Sequence, residues 1–216
     1  MLDVVIEQLR ALFDLGGPVV MLLLAVSVLT MAVVFYKLWQ FSAAHVGRHR
    51  ALRDALAAWD RGDKASARQA LERSRSYLMP VVAAAFENRE KDRLRAMAEE
   101  RFATLERGFR FLDSVAQLAP LLGLFGTVLG MIEAFQSLQD AGAQVDPSLL
   151  AGGIWVALLT TAVGLVVAMP TALVLAWFEG RMENERVVAD TFILTALAPT
   201  GASAPSDPSD MVLANG

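Results

Sequence analysis

The sequence contains no cysteine, so it has neither a disulfide framework nor a thiolate metal site. Charged residues are absent from three long runs, residues 15–36, 114–132 and 147–178. These runs therefore lack the Asp, Glu, His, Lys or Arg that a pump or proton relay normally carries inside the membrane. The sequence shows no nucleophile–base set, phosphate-binding loop or cluster of metal ligands. This inventory argues against an enzyme and predicts neither a cofactor nor a metal.

The three charge-free runs predict three transmembrane helices, because about 20 apolar residues span the hydrocarbon core of a bilayer. The first run could instead be a secretory signal peptide. It is longer than the apolar region of such a peptide, however, and it follows Asp3, Glu7 and Asp14 in place of basic residues. We therefore predict an uncleaved span. The third run exceeds the length of one span, so this helix should tilt or protrude from the membrane.

The sequence thus predicts an all-α membrane protein with three transmembrane helices and long cytoplasmic helical extensions. Between residues 41 and 113 lie 15 of the 19 Lys and Arg residues, and these residue types mark the cytoplasmic side of a membrane. The N-terminus should therefore lie outside and the C-terminus inside. The predicted segments are an outer interfacial helix (1–14), transmembrane helix 1 (15–41), a cytoplasmic helical region (42–113), transmembrane helix 2 (114–135), an outer loop (136–146), transmembrane helix 3 (147–178), a cytoplasmic helix (179–198) and a disordered tail (199–216).

Turn and capping residues predict where these segments begin and end. Gly16-Gly17-Pro18 should separate the interfacial helix from the first span, and Asp146 followed by Pro147 should start the third. Within the cytoplasmic region we predict two helices, 42–59 and 64–75, with Asp63 capping the second.

A third, long cytoplasmic helix is predicted to begin at Pro80 and to continue without a break into the second span, although Gly108 is a weak point. Its polar face carries the i,i+4 ion pairs Glu87–Lys91 and Glu106–Arg110. Acidic residues are interspersed among its basic ones, which favours a solvated helix face over a nucleic-acid surface.

Small and hydroxyl-bearing residues replace leucine along one face of each of the last two spans. Small residues let helices approach closely, and hydroxyls are polar groups held where polarity is costly. The residues predicted to serve helix packing or kinking are Pro120, Gly123, Gly126, Gly130, Gly153, Ala157, Gly164, Ala168 and Pro170. Ala172 continues the face of the third span. The residues alone leave two interpretations of Thr127 and Thr161: threonines that bond their own i−4 carbonyls in a tight packing face, or hydroxyls that face a pore.

The stretch LAPLLGLFGTVLGMI at 118–132, with LTTAVGL at 159–165 and AMP at 168–170, resembles the MotA/TolQ/ExbB proton-channel family and its ExbB branch most. The resemblance implies a homo-oligomer, five copies around two single-span helices of an ExbD/TolR-type partner whose aspartate carries the proton. It implies a multi-pass protein of the bacterial inner membrane that drives a TonB-type periplasmic protein for outer-membrane uptake. It also implies that Thr127 and Thr161 line the ion path.

One position departs from the family pattern. ExbB proteins often carry a glutamate five residues before the second threonine, where this sequence has Val156, so a proton-relay role at that position is in doubt. Three spans disfavour the MotA branch, which usually has four. A TolQ-type subunit for envelope integrity and a non-conducting membrane scaffold stay as alternatives.

Overall fold

The computed structural model describes residues 2–140 and 147–200. Every regular element in these ranges is an α-helix: α1 (Leu2–Ala43), α2 (Arg50–Asp60), α3 (Lys64–Glu72), α4 (Met79–Phe86), α5 (Lys91–Glu106), α6 (Phe109–Asp140) and α7 (Pro147–Leu197). Three stretches are long and apolar enough to cross a membrane, namely Gly17–Ala43, Phe109–Asp140 and Leu150–Leu197. The predicted all-α fold with three membrane-spanning helices is confirmed.

Helix α1 is broken at Gly17, whose φ of 64° lies in the left-handed region. Glycine adopts this region without a Cβ clash, and Pro18 then begins the next helical segment with its φ already fixed. The predicted break at Gly16-Gly17-Pro18 is therefore present.

One compact unit comprises the chain up to Lys37 together with Gly108–Glu179. Its core joins residues of α1, α6 and α7: Val19, Leu23, Val115, Ala119, Val167 and Ala168. Large apolar side chains elsewhere on these helices are exposed, with Val28 72% and Leu173 73% exposed, as expected of surfaces that face lipid. Lys37 follows the first charge-free run and is only 1% exposed, with its Nζ 5.6 Å from the centre of the Phe109 ring.

The second compact unit comprises Leu38–Arg107 and the chain from Gly180 onward. Within it the Trp59 ring stacks on Phe86 at 4.1 Å, and the Trp59 indole donates a hydrogen bond of 2.9 Å to the carbonyl of Ala196. The predicted cap of α3 is confirmed, because Asp63 accepts a 3.0 Å hydrogen bond from the backbone N–H of Ser66.

The predicted helix at 42–59 is wrong, because α1 ends at Ala43 and α2 begins only at Arg50. The intervening turn contains Gly47 at φ 79°. A Cβ at this position would also collide with the guanidinium of Arg181. The backbone conformation therefore favours glycine at this position, and a larger residue would also displace the flexible end of the Arg181 side chain. Helix α3 is shorter than the predicted 64–75 and ends at Glu72.

The long helix predicted from Pro80 into the second span is also wrong, since three helices occupy this stretch. Asn88 at φ 57° separates α4 from α5, and Gly108 at φ 94° separates α5 from α6. Asparagine and glycine are the residues that enter the left-handed region most readily.

These breaks also invalidate the two predicted i,i+4 ion pairs, whose members do not lie within one helix. Glu87 instead pairs with Arg89 at 2.9 Å. Glu106 accepts from Arg186 Nη1 at 2.7 Å.

Two further predicted boundaries differ. Helix α6 continues to Asp140, so residues 136–140 of the predicted outer loop are helical. Thr200 lies within the predicted disordered tail (199–216). Its backbone N–H and its hydroxyl donate to Asp60 at 2.6 and 2.7 Å. The rest of the outer loop (141–146), the Asp146 cap and the tail from 201 lie outside the described residues.

Candidate functional site

Glycine brings the backbones of α6 and α7 into direct contact. A Cβ built on Gly123 would lie 2.9 Å from the carbonyl oxygen of Thr160, and one on Gly164 would lie 2.6 Å from that of Ala119. Real Cβ atoms do not approach backbone this closely, so alanine at either position would force the helices apart. Such close approach is the packing mode of membrane helices, which associate without a hydrophobic driving force.

The close contact between α6 and α7 extends further along the two helices. A Cβ on Gly130 would lie 3.2 Å from the Cβ of Ala157. A Cβ on Gly153 would collide with Ala134. The structure therefore brings together Gly123, Gly130, Gly153, Ala157 and Gly164 along one helix–helix seam.

Three threonine hydroxyls converge on one carbonyl inside this seam. The carbonyl oxygen of Gly123 lies 3.3 Å from Thr127 Oγ1, 3.1 Å from Thr160 Oγ1 and 3.2 Å from Thr161 Oγ1. Thr127 Oγ1 and Thr161 Oγ1 lie 3.0 Å apart, close enough for one to donate to the other. The two threonines picked out by the sequence therefore form a hydroxyl pair across α6 and α7, and Thr127 also lies within reach of its own i−4 carbonyl.

Within their own helices the hydroxyls have further acceptors. Thr127 Oγ1 lies 2.7 Å from the carbonyl of Leu124. Thr160 Oγ1 lies 2.7 Å from the carbonyl of Ala157. Each hydroxyl carries a single hydrogen, so the cluster has more acceptors within reach than hydrogens to donate.

Sequence reasoning missed Thr160, which is only 2% exposed. A Cβ on Gly126 would lie 2.7 Å from its Oγ1, so the absent side chain of Gly126 is what makes room for this hydroxyl. The available signal was spacing, because Thr160 follows Ala157 by three residues and precedes Gly164 by four, the separations of one helix face.

Comparison with known proteins identifies the chain. The sequence profile of the MotA/TolQ/ExbB proton channel family matches residues 52–190, which is more than half of the chain. The chain belongs to the MotA/TolQ/ExbB proton channel family. The match includes both threonine-bearing segments of the α6–α7 seam.

Individual relatives agree with this assignment. The chain is similar to a biopolymer transport protein ExbB-like 1 of Synechocystis sp., at 34% identity over 168 residues, which are 74% of this chain and 66% of that protein. It is similar to biopolymer transport protein ExbB of Neisseria meningitidis, at 30% identity over 190 residues, 77% of this chain and 84% of that protein. A shorter match of 43% identity over 70 residues, 32% of this chain and 30% of that protein, relates it to the Tol-Pal system protein TolQ of Haemophilus influenzae.

The other predicted residues of this family member lie as follows. Pro120 and Pro170 are inside α6 and α7, and Ala168 is buried in the core with Val167. Ala172, predicted on the packing face of the third span, is exposed, because the buried face of α7 turns instead through Thr171, which is 4% exposed. Val156, at the position where the family often has glutamate, is partly buried.

A groove of about 470 Å³ begins at Thr127 and follows α6 toward its C-terminal end. Its walls are mainly apolar, with Val128, Met131 and Phe135 among them, and Gln139 lies at the far end. Thr127, one member of the hydroxyl pair, thus lies beside an open, mainly apolar surface of α6.

A second polar cluster, not predicted from the sequence, lies in the second compact unit. His49 Nε2 lies 2.7 Å from Glu185 Oε2 and its Nδ1 lies 2.9 Å from Ser76 Oγ. Tyr77 donates to the same Glu185 oxygen at 2.6 Å. Ser76, His49 and Glu185 are 5%, 2% and 3% exposed, so these three side chains are buried together.

The Tyr77 hydroxyl stays a hydrogen-bond donor, because burial, and then its bond to Glu185, raise its pKa far above the usual value. The cluster therefore holds a buried carboxylate by two donors from separate segments of the chain. Its chemistry is that of a structural anchor, in which hydrogen bonds from His49 and Tyr77 to one carboxylate oxygen offset the cost of burying the charge.

Proposed function

We propose that this chain is the ExbB-like subunit of an inner-membrane proton-channel motor. In this proposal five copies surround two single-span helices of an ExbD/TolR-type partner, and proton passage through the partner's aspartate moves one part against the other. The motion drives a TonB-type periplasmic protein for outer-membrane uptake. The basic stretch at residues 41–113 supports placing that region in the cytoplasm, with the N-terminus periplasmic and the C-terminus cytoplasmic.

The observation that carries the proposal is the Thr127–Thr161 hydroxyl pair, whose oxygens lie 3.0 Å apart within the charge-free stretches of α6 and α7. A pair of hydroxyls can donate to a carboxylate and accept from a carboxylic acid, so it can serve the partner's aspartate in both of its protonation states. Both hydroxyls are only part-buried, and Thr127 lines the open groove on α6. A partner helix could therefore reach them.

The chain should be co-expressed with an ExbD/TolR-type protein whose single span carries an aspartate, and the complex should be tested for proton flux in liposomes. Thr161→Val keeps the shape and removes the hydroxyl. Flux should fall about tenfold or more, because a hydrogen bond to a charged group contributes about 1.5–3 kcal/mol. The oligomer should still assemble.

Thr171→Val is the matched control. Thr171 lies in the same helix and is more deeply buried, at 4% exposed, and its hydroxyl donates to the carbonyl of Val167 in its own helix, at 2.7 Å. Its loss should leave the flux unchanged. Equal flux from Thr161→Val and wild type would favour the scaffold and contradict the channel role of the pair.

A TolQ-type role is the second candidate, favoured by the 43% identity to TolQ over 70 residues. Deletion of the gene separates the two roles. Loss of energised uptake with an intact envelope supports the ExbB-type role, whereas leakage of periplasmic proteins and detergent sensitivity support the TolQ-type role.

A further inference from the structure

Arg181 of α7 lies against the turn that follows α1. The turn contains Gly47 at φ 79°, and the guanidinium of Arg181 occupies the space that a Cβ of Gly47 would need. Arg181 Nη2 lies 3.4 Å from the carbonyl oxygen of Val46 in the same turn. Arg181 and the turn therefore form one surface, which we call the Arg181–Gly47 surface.

Most of the hydrogen-bonding capacity of this guanidinium is unused. Arginine has five N–H donors, and within the part of the chain that the structure describes Arg181 makes one hydrogen bond, the long one to Val46. Glu185 lies within electrostatic range, but its Oε2 accepts from two other side chains. No described Asp or Glu forms an ion pair with Arg181 or with the exposed Arg48. Both cations are therefore available to an anion from outside the chain.

Exposed aromatic side chains indicate the depth of this surface in the membrane. Trp177 lies four residues before Arg181 and is 56% exposed, and Trp39 lies eight residues before Gly47 and is 67% exposed. Tryptophan concentrates at the level of the lipid headgroups. The charge-free run of the third span ends at Phe178, so Arg181 lies about 4.5 Å beyond it along the helix. Arg181 is therefore at headgroup depth.

Phosphate is the anion that both the chemistry and the depth favour. A guanidinium binds two oxygens of a phosphate through parallel N–H···O bonds. Basic residues directly beside a membrane helix attract anionic lipids. Because the two cations have no carboxylate paired with them, a lipid of net negative charge suits the surface better than a zwitterionic one.

We infer that the Arg181–Gly47 surface, together with Arg48, binds the phosphate of an anionic phospholipid headgroup. Arg181 supplies the paired hydrogen bonds, and Arg48, which follows Gly47 directly, adds a second positive charge. The glycine leaves room for the guanidinium at the turn. This lipid site is independent of the proposed channel function.

The test measures the melting temperature of the purified chain in a neutral detergent as phospholipid is added. A ligand that binds only the folded protein raises the melting temperature according to its affinity and concentration. Phosphatidylglycerol should raise it more than phosphatidylcholine with the same acyl chains. Inorganic phosphate at the same concentration should give no comparable rise, because acyl chains hold a lipid headgroup at this depth.

Single substitutions locate the site. Arg181→Gln should weaken the apparent affinity for phosphatidylglycerol about tenfold or more, as expected for the loss of charge-assisted hydrogen bonds. Arg181→Lys keeps the charge without the planar pair of donors and should restore only part of that affinity. Arg48→Gln should weaken the affinity about fivefold. Its side chain makes no hydrogen bond or ion pair with the described residues, so the fold should be undisturbed.

Arg61→Gln is the matched control. Arg61 is also exposed and carries the same charge, but it follows the far end of α2, about 16 Å from Arg50 by the helical rise. Its loss should change the affinity less than twofold.

Several outcomes would overturn the lipid site. Equal melting curves with the two lipids would remove its selectivity for negative charge. A loss for Arg61→Gln as large as that for Arg48→Gln would mean that overall surface charge attracts the lipid. An equal rise with inorganic phosphate would identify a site for a free anion. If Arg181→Gln lowers the melting temperature without lipid, native mass spectrometry of Arg48→Gln decides: fewer retained phosphatidylglycerol molecules than in the wild type support the site, and an unchanged number contradicts it.

Discussion

At the scale of single residues, the α6–α7 seam depends on the absence of side chains at defined points. Gly164 faces the backbone of Ala119, while Gly152 in the same helix has no atom within 4 Å of the position of its missing Cβ. The same substitution should therefore have opposite consequences at the two sites, since one glycine is required by a neighbour and the other is not.

Gly164→Ala should destabilise the protein by about 1–3 kcal/mol, the range for overpacking of a tight interior. In a chain of this length that corresponds to a fall in the melting temperature of roughly 2–10 °C. Gly152→Ala should be neutral or slightly stabilising, because alanine is the better helix former. Thermal unfolding in detergent, followed by circular dichroism, measures both, and equal melting temperatures for the two variants would contradict the seam.

The residue-level site was only partly predictable from the sequence. Thr127 and Thr161 could be singled out because hydroxyls are rare in such apolar helices, but spacing could not show that they meet. Thr160 was missed because the predicted packing face of the third span was centred on Thr161. The buried side of α7 is rotated from it and passes through Ala157, Thr160 and Gly164. A rotation of this kind leaves the sequence pattern almost unchanged.

At the scale of helices, one carboxylate of α7 is buried and another is exposed. Glu185 accepts from Tyr77 and contacts His49 with 3% exposure. Asp190 pairs with Arg95 at 2.9 Å, and the two side chains are 50% and 45% exposed. Removing one member of a buried ion pair leaves the other member without a hydrogen-bond partner. In an exposed pair, water takes the place of the removed side chain.

Glu185→Ala should therefore destabilise the protein by about 2–4 kcal/mol, because the buried His49 and the partly buried Tyr77 lose their hydrogen-bond partner. Asp190→Ala should cost less than about 1 kcal/mol. Chemical unfolding of the detergent-solubilised protein measures the difference. A loss for Asp190→Ala as large as that for Glu185→Ala would show that burial does not control the strength of these contacts.

The helix boundaries show where local reasoning failed. Asn88 and Gly108 are isolated residues within stretches whose pattern is strongly helical. A single asparagine or glycine is tolerated inside a helix at a modest cost in stability. Sequence could not show that both adopt positive φ and end their helices. The Asp63 cap was predictable, because a capping carboxylate needs only the residues that follow it. The His49–Glu185 contact was not, since 136 positions separate its members.

At the scale of the whole molecule, the three spans were predictable because the hydrocarbon core excludes charge and requires a minimum helix length. Those constraints act on composition over some twenty residues and need no knowledge of packing. They also bear on conduction. The charge-free runs contain no Asp, Glu, His, Lys or Arg, so they offer no carboxyl, imidazole or amine group to carry a proton through the centre of the bilayer.

This chain alone should therefore conduct no protons. An ion at the bilayer centre costs several kcal/mol without a compensating partner, while one elementary charge crossing 100 mV releases only about 2.3 kcal/mol. A membrane potential thus cannot force a charge through an apolar collar. A carboxyl group on a partner helix removes the barrier, because it crosses the apolar region as a neutral acid and exchanges its proton at either end.

The test of this prediction compares three samples in liposomes under an imposed pH gradient, each with an internal pH-sensitive dye. They are the purified chain, the complex with its partner, and a complex in which the partner's aspartate is replaced by asparagine. Only the intact complex should exceed protein-free liposomes. Flux from this chain alone at the level of the complex would mean that its own hydroxyls and bound water carry the proton, and would remove the need for the partner's carboxylate.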